Sequence, residues 1–128
     1  MECTIKWVDG MSFRAETGSG HLINMDGAPD AGGRNLAARP MELMLAGAGG
    51  CTAFDVVLIL KRGRQDIRDC SVRLEADRAD TDPKVFTRIR FHYTVTGKNL
   101  KPESVESASI MLGKTAEITH EWTIVEAE

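Results

Sequence analysis

The chain has 128 residues, which is the size of one domain that can bury a hydrophobic core without disulfides or metals. Its formal net charge of −3 argues against a nucleic-acid or anionic-membrane partner, because no basic patch dominates. The odd count of 3 cysteines, without zinc-ligand spacing, argues against a disulfide framework or a metal site and favours a reducing compartment. The amino terminus carries no signal-peptide pattern. We therefore expect a single cytoplasmic domain over residues 1–128 that holds no metal.

The pattern of residues up to position 38 predicts three short strands and a loop. Residues 4–8 are rich in β-formers, an Asp-Gly pair follows, and residues 12–16 return as the second strand of a hairpin. Residues 21–25 predict a third strand. Residues 28–38, which are rich in Gly, Ala and polar side chains, predict a loop.

The longest apolar stretch, residues 39–64, predicts a long helix. Pro40 suits the first helical turn, Glu42 favours the positive end of the helix dipole, and Gly63 is a typical stop signal. Apolar residues occur on all sides, so such a helix is either buried or crosses a membrane. The internal Asp55 and three glycines favour burial in a soluble protein.

The glycines at the middle of this stretch admit two interpretations. Gly47, Gly49 and Gly50 each cost about 1 kcal/mol relative to alanine in a helix interior. They either allow another backbone or side chain to approach closely, or they mark a break after which a second helix starts near Cys51. In the second case the helix dipole would lower the pKa of the Cys51 thiol.

The second half of the chain predicts two strands, a helix and a last strand. Residues 70–78 and 85–96 alternate between apolar and polar side chains and should pair as antiparallel neighbours. Residues 100–117 predict a helix that starts at a proline, although its periodicity slips at residues 108–110. Residues 118–125 predict the final strand.

This order of elements predicts an α+β fold with a mainly antiparallel sheet. A helix that is apolar on all sides needs cover on all sides, whereas one small sheet covers a single face. A symmetric homodimer, in which the partner covers the rest, is the simplest arrangement that meets this need.

Cys51 is the best candidate for chemistry in this sequence. A lone cysteine in an apolar helix is more often an inert core residue than a nucleophile, so both interpretations stay open. Glu42 precedes Cys51 by nine residues, which is about 180° around an unbroken helix. It could reach the thiol only through a helix break or from a partner subunit, and a role in stabilising the helix start is the alternative.

The segment P-M-E-L-M-L-A-G-A-G-G-C-T-A-F-D-V-V resembles the OsmC/Ohr family, the osmotically inducible protein C and organic hydroperoxide resistance proteins. The opening K-W-V-D-G, the segments S-G-H-L-I-N-M-D-G and K-R-G-R-Q-D, and the closing I-T-H-E-W are similar to the OsmC-like branch. The resemblance therefore extends over nearly the whole chain.

The resemblance implies a thiol peroxidase that forms an intertwined homodimer with active sites at the dimer interface. Cys51 would attack the O–O bond of an organic hydroperoxide as a thiolate, become a sulfenic acid, and then close a disulfide with a second, resolving cysteine. In the family an Arg–Glu pair activates the first cysteine, and an unidentified thiol reductant completes the cycle without a cofactor. An apolar pocket would bind the alkyl group, with Met41, Met44 and Phe54 as its candidate residues.

The sequence departs from the family pattern at three places. Met41 stands where the family has the glutamate, and Glu42 follows one position later. No arginine matches the activating one, and the nearest options in the sequence are Arg14, Arg34 and Arg39. The resolving cysteine is absent, as though a segment were missing between Ala108 and Ser109.

These departures keep two further interpretations open. One is a non-catalytic OsmC-like protein that binds a small ligand or senses redox state. The other is a structural dimer in which Cys51 only fills the core.

Overall fold

A computed structural model of the protein describes residues 1–108 and 117–128. The chain divides into two compact units, Met1–Ala46 and Gly47–Glu128, and the long helix begins in the first and ends in the second.

The first unit contains the three predicted strands: β1 (Cys3–Asp9), β2 (Ser12–Thr17) and β3 (Leu22–Met25). They form an antiparallel sheet in the order β1-β2-β3, which confirms the predicted hairpin. Ala15 is the one buried residue in the three strands, and this unit exposes several large apolar side chains: Ile5, Trp7, Val8, Leu22 and Ile23. The unit by itself therefore has almost no core.

The predicted loop after β3 is ordered around Asp26, which is only 1% exposed. One carboxylate oxygen accepts the backbone N–H of Gly27 at 2.8 Å, and the other accepts those of Arg34 and Leu36, both at 3.1 Å. These hydrogen bonds, with that of Leu36 contributing most, hold the pKa of Asp26 below its usual range, although desolvation opposes them. The loop also contains a short 3-10 helix, Pro29–Ala31.

The long helix α1 runs from Pro40 to Arg62 without interruption, so the interpretation of a break near Gly50 is wrong. It ends as predicted, with the N–H of Gly63 bound to the carbonyl of Ile59 at 2.9 Å. By length and composition alone α1 could cross a membrane, a property that core helices of soluble proteins share.

The second unit contains a sheet of β4 (Asp66–Arg78), β5 (Phe86–Lys98) and β6 (Glu117–Glu126), in the order β4-β5-β6. β4 and β5 are antiparallel, as predicted, whereas β6 lies parallel to β5. A parallel neighbour needs a crossover connection. The chain between β5 and β6 includes the helix α2 (Pro102–Ala108). The rest of the predicted helix, and the junction of residues 108 and 109, lie outside the described residues.

The core of the second unit lies along the apolar side of β5, as its alternation predicted. Five residues of that side are buried: Ile89, Phe91, Tyr93, Val95 and Gly97. The ring of Tyr93 stacks with those of Phe91 and Trp122, with centroids 6.1 and 6.3 Å apart. The α1 residues buried with them form one stripe along the helix: Gly49, Thr52, Val56 and Leu60.

Candidate functional site

The buried stripe of α1 determines which way Cys51 faces. A helix advances about 100° per residue, so the four buried residues cluster within about 80° of one another. Gly49 is in contact with the sheet, since a Cβ atom built there would lie 2.7 Å from Cδ1 of Leu74 in β4. Cys51 is about 145° from the middle of this stripe, and it is exposed. The thiol therefore lies on the side of α1 that faces away from the sheet of its own unit.

Thr52, the residue after Cys51, belongs to the buried side of α1 and satisfies its polar group within the helix. Its side chain is fully buried, and its hydroxyl lies 3.2 Å from the carbonyl of Ala48 and 3.1 Å from that of Gly49. The hydroxyl thus satisfies its hydrogen bond within the helix, and the small residues before it let the helix approach the sheet.

Of the predicted apolar site residues, Phe54 is the one that belongs to the same unit as Cys51. It is 67% exposed and lies three residues after Cys51, so the two are neighbours on the helix surface. Met44 and Met41 lie earlier on α1, in the first unit, where Met44 is 60% exposed and Met41 is half-buried. All three are therefore at least partly accessible to a ligand or a partner subunit.

Glu42 stabilises the start of α1. Its Oε1 accepts the backbone N–H of Arg39 at 2.9 Å. Arg39 is the residue just before the helix and Glu42 is the third helical residue, so this contact is the glutamate half of a capping box. Among the residues that the structure describes, no hydrogen bond to Oε2 of Glu42 is found.

The three arginines that the sequence offered as options for activating Cys51 all lie in the first unit. Arg14 donates to the side chain of Asn24 at 3.2 Å, and Arg34 pairs with Asp9 at 3.5 Å. Arg39 contributes its backbone N–H to the contact with Glu42.

The other two cysteines differ in exposure. Cys3 is exposed at the start of β1, whereas Cys70 is half-buried in β4. Burial, together with the neighbouring Asp69 carboxylate, raises the pKa of the Cys70 thiol. A thiol with a raised pKa is a poor nucleophile near neutral pH.

A polar cluster that the sequence did not predict lies on the other face of the second sheet. Nδ1 of His92 lies 3.4 Å from the Glu121 carboxylate, and its Nε2 lies 3.2 Å from the Thr123 hydroxyl. His92 and Glu121 border a recess of about 480 Å³, in which two arginines pair with one carboxylate: Arg73 and Arg90 with Glu75. The alternation of apolar and polar residues along β5 and β6 was the sequence signal that could have predicted this cluster.

No group of three or more His, Cys, Asp or Glu in the described ranges could hold a metal ion.

Comparison with known proteins identifies the family. The sequence profile described as OsmC-like protein matches residues 32–118, which is more than half of the chain. Protein YhfA of Escherichia coli strain K12 is 43% identical over 138 residues, an alignment that covers 99% of this chain and 100% of that protein. The chain therefore belongs to the OsmC family, as the motif around Cys51 predicted.

Solved structures share the fold along the whole chain. A structure from structural genomics is 41% identical, covers 99% of this chain and 100% of its own, and superposes with a TM-score of 0.84. The organic hydroperoxide resistance protein OhrB of Bacillus subtilis superposes with a TM-score of 0.61 at 18% identity, with 96% and 98% of the two chains covered. The α+β fold with two sheets and a long helix is thus the OsmC fold.

The alignment with YhfA also bears on the missing segment. It extends over 138 positions, while this chain has 128 residues, so at least ten positions have no residue here. This agrees with the expectation that a segment is absent relative to the family.

Proposed function

We propose that the protein is a thiol-dependent peroxidase that reduces organic hydroperoxides, with Cys51 as its nucleophile. The observation that carries the proposal is the exposure of Cys51 on an apolar helix face, within residues 32–118, which match the OsmC-like profile. A cysteine that only filled the core would face the sheet with Gly49 and Val56. Membership of the OsmC family supports a redox or stress-response role.

The proposed reaction begins with the Cys51 thiolate, because the thiolate and not the thiol is nucleophilic. Its sulfur attacks one oxygen of the hydroperoxide, a sulfur–oxygen bond forms, and the O–O bond breaks. The leaving alkoxide takes up a proton and departs as an alcohol, and the protein keeps a sulfenic acid. The cysteine is oxidised and the hydroperoxide is reduced, without any cofactor.

The apolar residues on α1 give the proposal its substrate class. Met41, Met44 and Phe54 would contact the alkyl or aryl group of the hydroperoxide. Each buried CH₂ group contributes about 0.8 kcal/mol of hydrophobic free energy, which hydrogen peroxide cannot gain. Organic hydroperoxides should therefore react with the larger kcat/KM.

The exposed apolar surfaces support a homodimer as the working form. One chain covers a single stripe of α1 and leaves large side chains exposed on both α1 and the first sheet, among them Phe54 and Trp7. Exposed apolar surface of this kind is typical of an interface. In this proposal a second copy of the chain covers these faces and completes the pocket around Cys51.

Glu42 is proposed as the second residue of the site. Because α1 is unbroken and Glu42 lies about 180° around it from Cys51, Glu42 would act on the thiol of a partner subunit. Its Oε1 caps the helix, which leaves Oε2 to pair with a cation beside that thiol. The net charge of −3 supports action on a small molecule, without nucleic acid or membrane, and the sparse cysteines support action in the reducing cytoplasm.

The test is the consumption of cumene hydroperoxide and tert-butyl hydroperoxide in the presence of a thiol. The wild type should consume both faster than it consumes hydrogen peroxide. Cys51→Ser should lose the activity, whereas Cys70→Ser, a matched change at a half-buried thiol, should keep it. Equal rates for the wild type and Cys51→Ser would contradict the proposal.

A second function, a non-catalytic protein that binds a small apolar ligand or senses redox state, is favoured by one observation. Glu42 is already engaged in capping, and Arg14 and Arg34 contact other side chains, so within the described residues of one chain no ion pair joins Glu42 to an arginine. A Cys51 that is oxidised once but never turns over would indicate this function.

A further inference from the structure

The recess on the polar face of the second sheet is bordered by polar side chains in two rows. Each row crosses the three strands: Arg73, His92 and Glu121 in one, and Glu75, Arg90 and Thr119 in the next. Leu74, which lies between two of these residues in β4, contacts Gly49 of α1, and successive side chains of a strand point to opposite faces. The recess is therefore on the side of the sheet away from α1. Its volume of about 480 Å³ is within the usual range for small-molecule sites.

Glu75 holds two guanidinium groups together at one side of the recess. Its Oε2 accepts a hydrogen bond from Nη2 of Arg90 at 2.9 Å, and its Oε1 pairs with Nη1 of Arg73. This pairing, with the contact to Arg73 contributing most, holds the pKa of Glu75 below its usual range. One carboxylate compensates only one of the two guanidinium charges, so this side of the recess keeps an excess of one positive charge.

The two arginines keep hydrogen-bond donors for a ligand. A guanidinium group has five N–H donors in a planar fork, and the contact with Glu75 uses one nitrogen of each arginine. Both side chains are more than half exposed, so their other donors are accessible from the recess. A carboxylate is the small anion whose geometry and single charge match this arrangement.

Glu121 gives the opposite side of the recess a negative charge. Its largely exposed carboxylate lies 3.4 Å from Nδ1 of His92. A neutral imidazole donates a hydrogen bond to this carboxylate but does not compensate its charge. Glu121 is therefore suited to an amino group, and it disfavours a second anionic group on the ligand. It lies diagonally to Arg90, one strand across and two residues along, so the two Cα atoms are about 8 Å apart.

We propose that the recess binds a small zwitterion, whose carboxylate is held by Arg73 and Arg90 and whose amino group is held by Glu121. The ring of His92 lies between these two sides, and the Thr123 hydroxyl, 3.2 Å from its Nε2, keeps its Nδ1 directed at Glu121. An ω-amino carboxylate or a short peptide with free ends carries the two charged groups at such a spacing. The site lies across the sheet from α1 and does not depend on the peroxidase activity.

The test is a titration of the full-length protein, followed by amide chemical shifts, with three acids of equal chain length. Wild type should bind 6-aminohexanoate most tightly, hexanoate more weakly because it lacks the amino group, and adipate most weakly because its second carboxylate faces Glu121. The shifts should change at Arg90, His92 and Glu121. Equal affinities for the three acids, or no shift at these residues with millimolar 6-aminohexanoate, would overturn the proposal. Triglycine provides the peptide arm, and whichever of triglycine and 6-aminohexanoate binds more tightly identifies the source of the zwitterion.

Variants separate the two sides of the recess. Arg73→Gln and Arg90→Gln should each weaken the binding of 6-aminohexanoate about tenfold. Arg68→Gln is the matched control, because Arg68 also pairs with a carboxylate, that of Asp66 at 3.1 Å, but does not border the recess. It should keep the wild-type affinity, and a loss as large as that of the recess arginines would overturn the proposal.

Glu121→Gln changes the selectivity for the ligand. This variant should bind 6-aminohexanoate and hexanoate equally, and it should no longer discriminate against adipate. Because the Glu121 side chain is largely exposed, the substitution should leave the amide spectrum of the folded protein intact. A Glu121→Gln protein that still prefers 6-aminohexanoate over hexanoate would overturn the role of Glu121 and with it the zwitterion.

Discussion

Gly49 of α1 lies directly against Leu74 of β4, where a Cβ atom at position 49 would be 2.7 Å from Cδ1 of Leu74. This distance is shorter than any normal carbon–carbon contact. It fixes the side of α1 that faces the sheet, and by rotation around the helix it turns Cys51 outward. The glycine is therefore a packing residue that also determines the orientation of the candidate site.

Gly49→Ala should lower the stability by a small amount. The added methyl group gains about 1 kcal/mol of helix propensity, but it forces the end of the Leu74 side chain to move, and overpacking of this kind costs about 1–3 kcal/mol. We expect a net loss of about 1 kcal/mol in urea unfolding. In a Leu74→Val background, which lacks the Cδ atoms, the same change should be neutral or stabilising. Equal losses in both backgrounds would show that the contact with Leu74 does not determine the cost.

Asp26→Asn should destabilise the protein at neutral pH. The variant should also lose less stability than the wild type when the pH is lowered. The pKa of Asp26 is lower in the folded protein than in the unfolded chain, mainly because of the hydrogen bond from Leu36. The contribution of the carboxylate is therefore fully present above its unfolded pKa of about 3.9, and it is lost as the pH falls through the lower folded value. An asparagine keeps one acceptor oxygen, while its NH₂ group faces N–H donors.

The measurement for Asp26 is the midpoint of thermal unfolding between pH 7 and pH 2.5. The wild type should lose stability more steeply below pH 4 than Asp26→Asn does. Asp30→Asn, at an exposed residue in the same loop, is the matched control and should follow the wild-type curve. Parallel curves for the wild type and Asp26→Asn would contradict the role given to the carboxylate.

Phe54→Lys should convert the proposed homodimer into monomers. Phe54 is 67% exposed in one chain, next to Cys51, and a charge there would have to be buried against the second copy. Multi-angle light scattering should give the dimer mass for the wild type and the monomer mass for the variant. Ser71→Lys, on the exposed polar face of β4, should leave the dimer intact. A wild type that is monomeric at micromolar concentration would contradict the proposed assembly.

Periodicity was sufficient to predict most of the fold. The alternation of β5 predicted its buried side, with Phe91 and Tyr93 in the core. The proline at the start of α1 and the glycine after it predicted its ends to within two residues. The parallel pairing of β6 was not predicted, because an alternating strand carries no signal for the direction of its neighbour.

The sequence alone could not predict which side of α1 carries Cys51 towards solvent. A helix that is apolar on all sides has no polar face to indicate which side packs, so the exposure of Cys51 depended on a tertiary contact, that of Gly49 with Leu74. The role of Asp26 was missed for a similar reason. Its three N–H donors come from residues up to ten positions later, and only the folded loop brings them together.

Glu42→Gln separates the two roles of this residue. A glutamine can still accept the N–H of Arg39, so the capping contact should remain, and the lost interaction with the helix dipole costs about 0.3–1 kcal/mol. If Oε2 also pairs with a cation beside Cys51, as proposed, kcat/KM for cumene hydroperoxide should fall about a hundredfold.

The control for Glu42 is Glu103→Gln, the same change in the first turn of α2. It should cost a similar amount of stability and leave the rate unchanged, because Glu103 has no place in the proposed site. Urea unfolding and initial rates, measured on the same preparations, give both quantities. A Glu42→Gln protein with the wild-type rate would limit Glu42 to its capping contact, and the charge that activates Cys51 would then have to come from another residue.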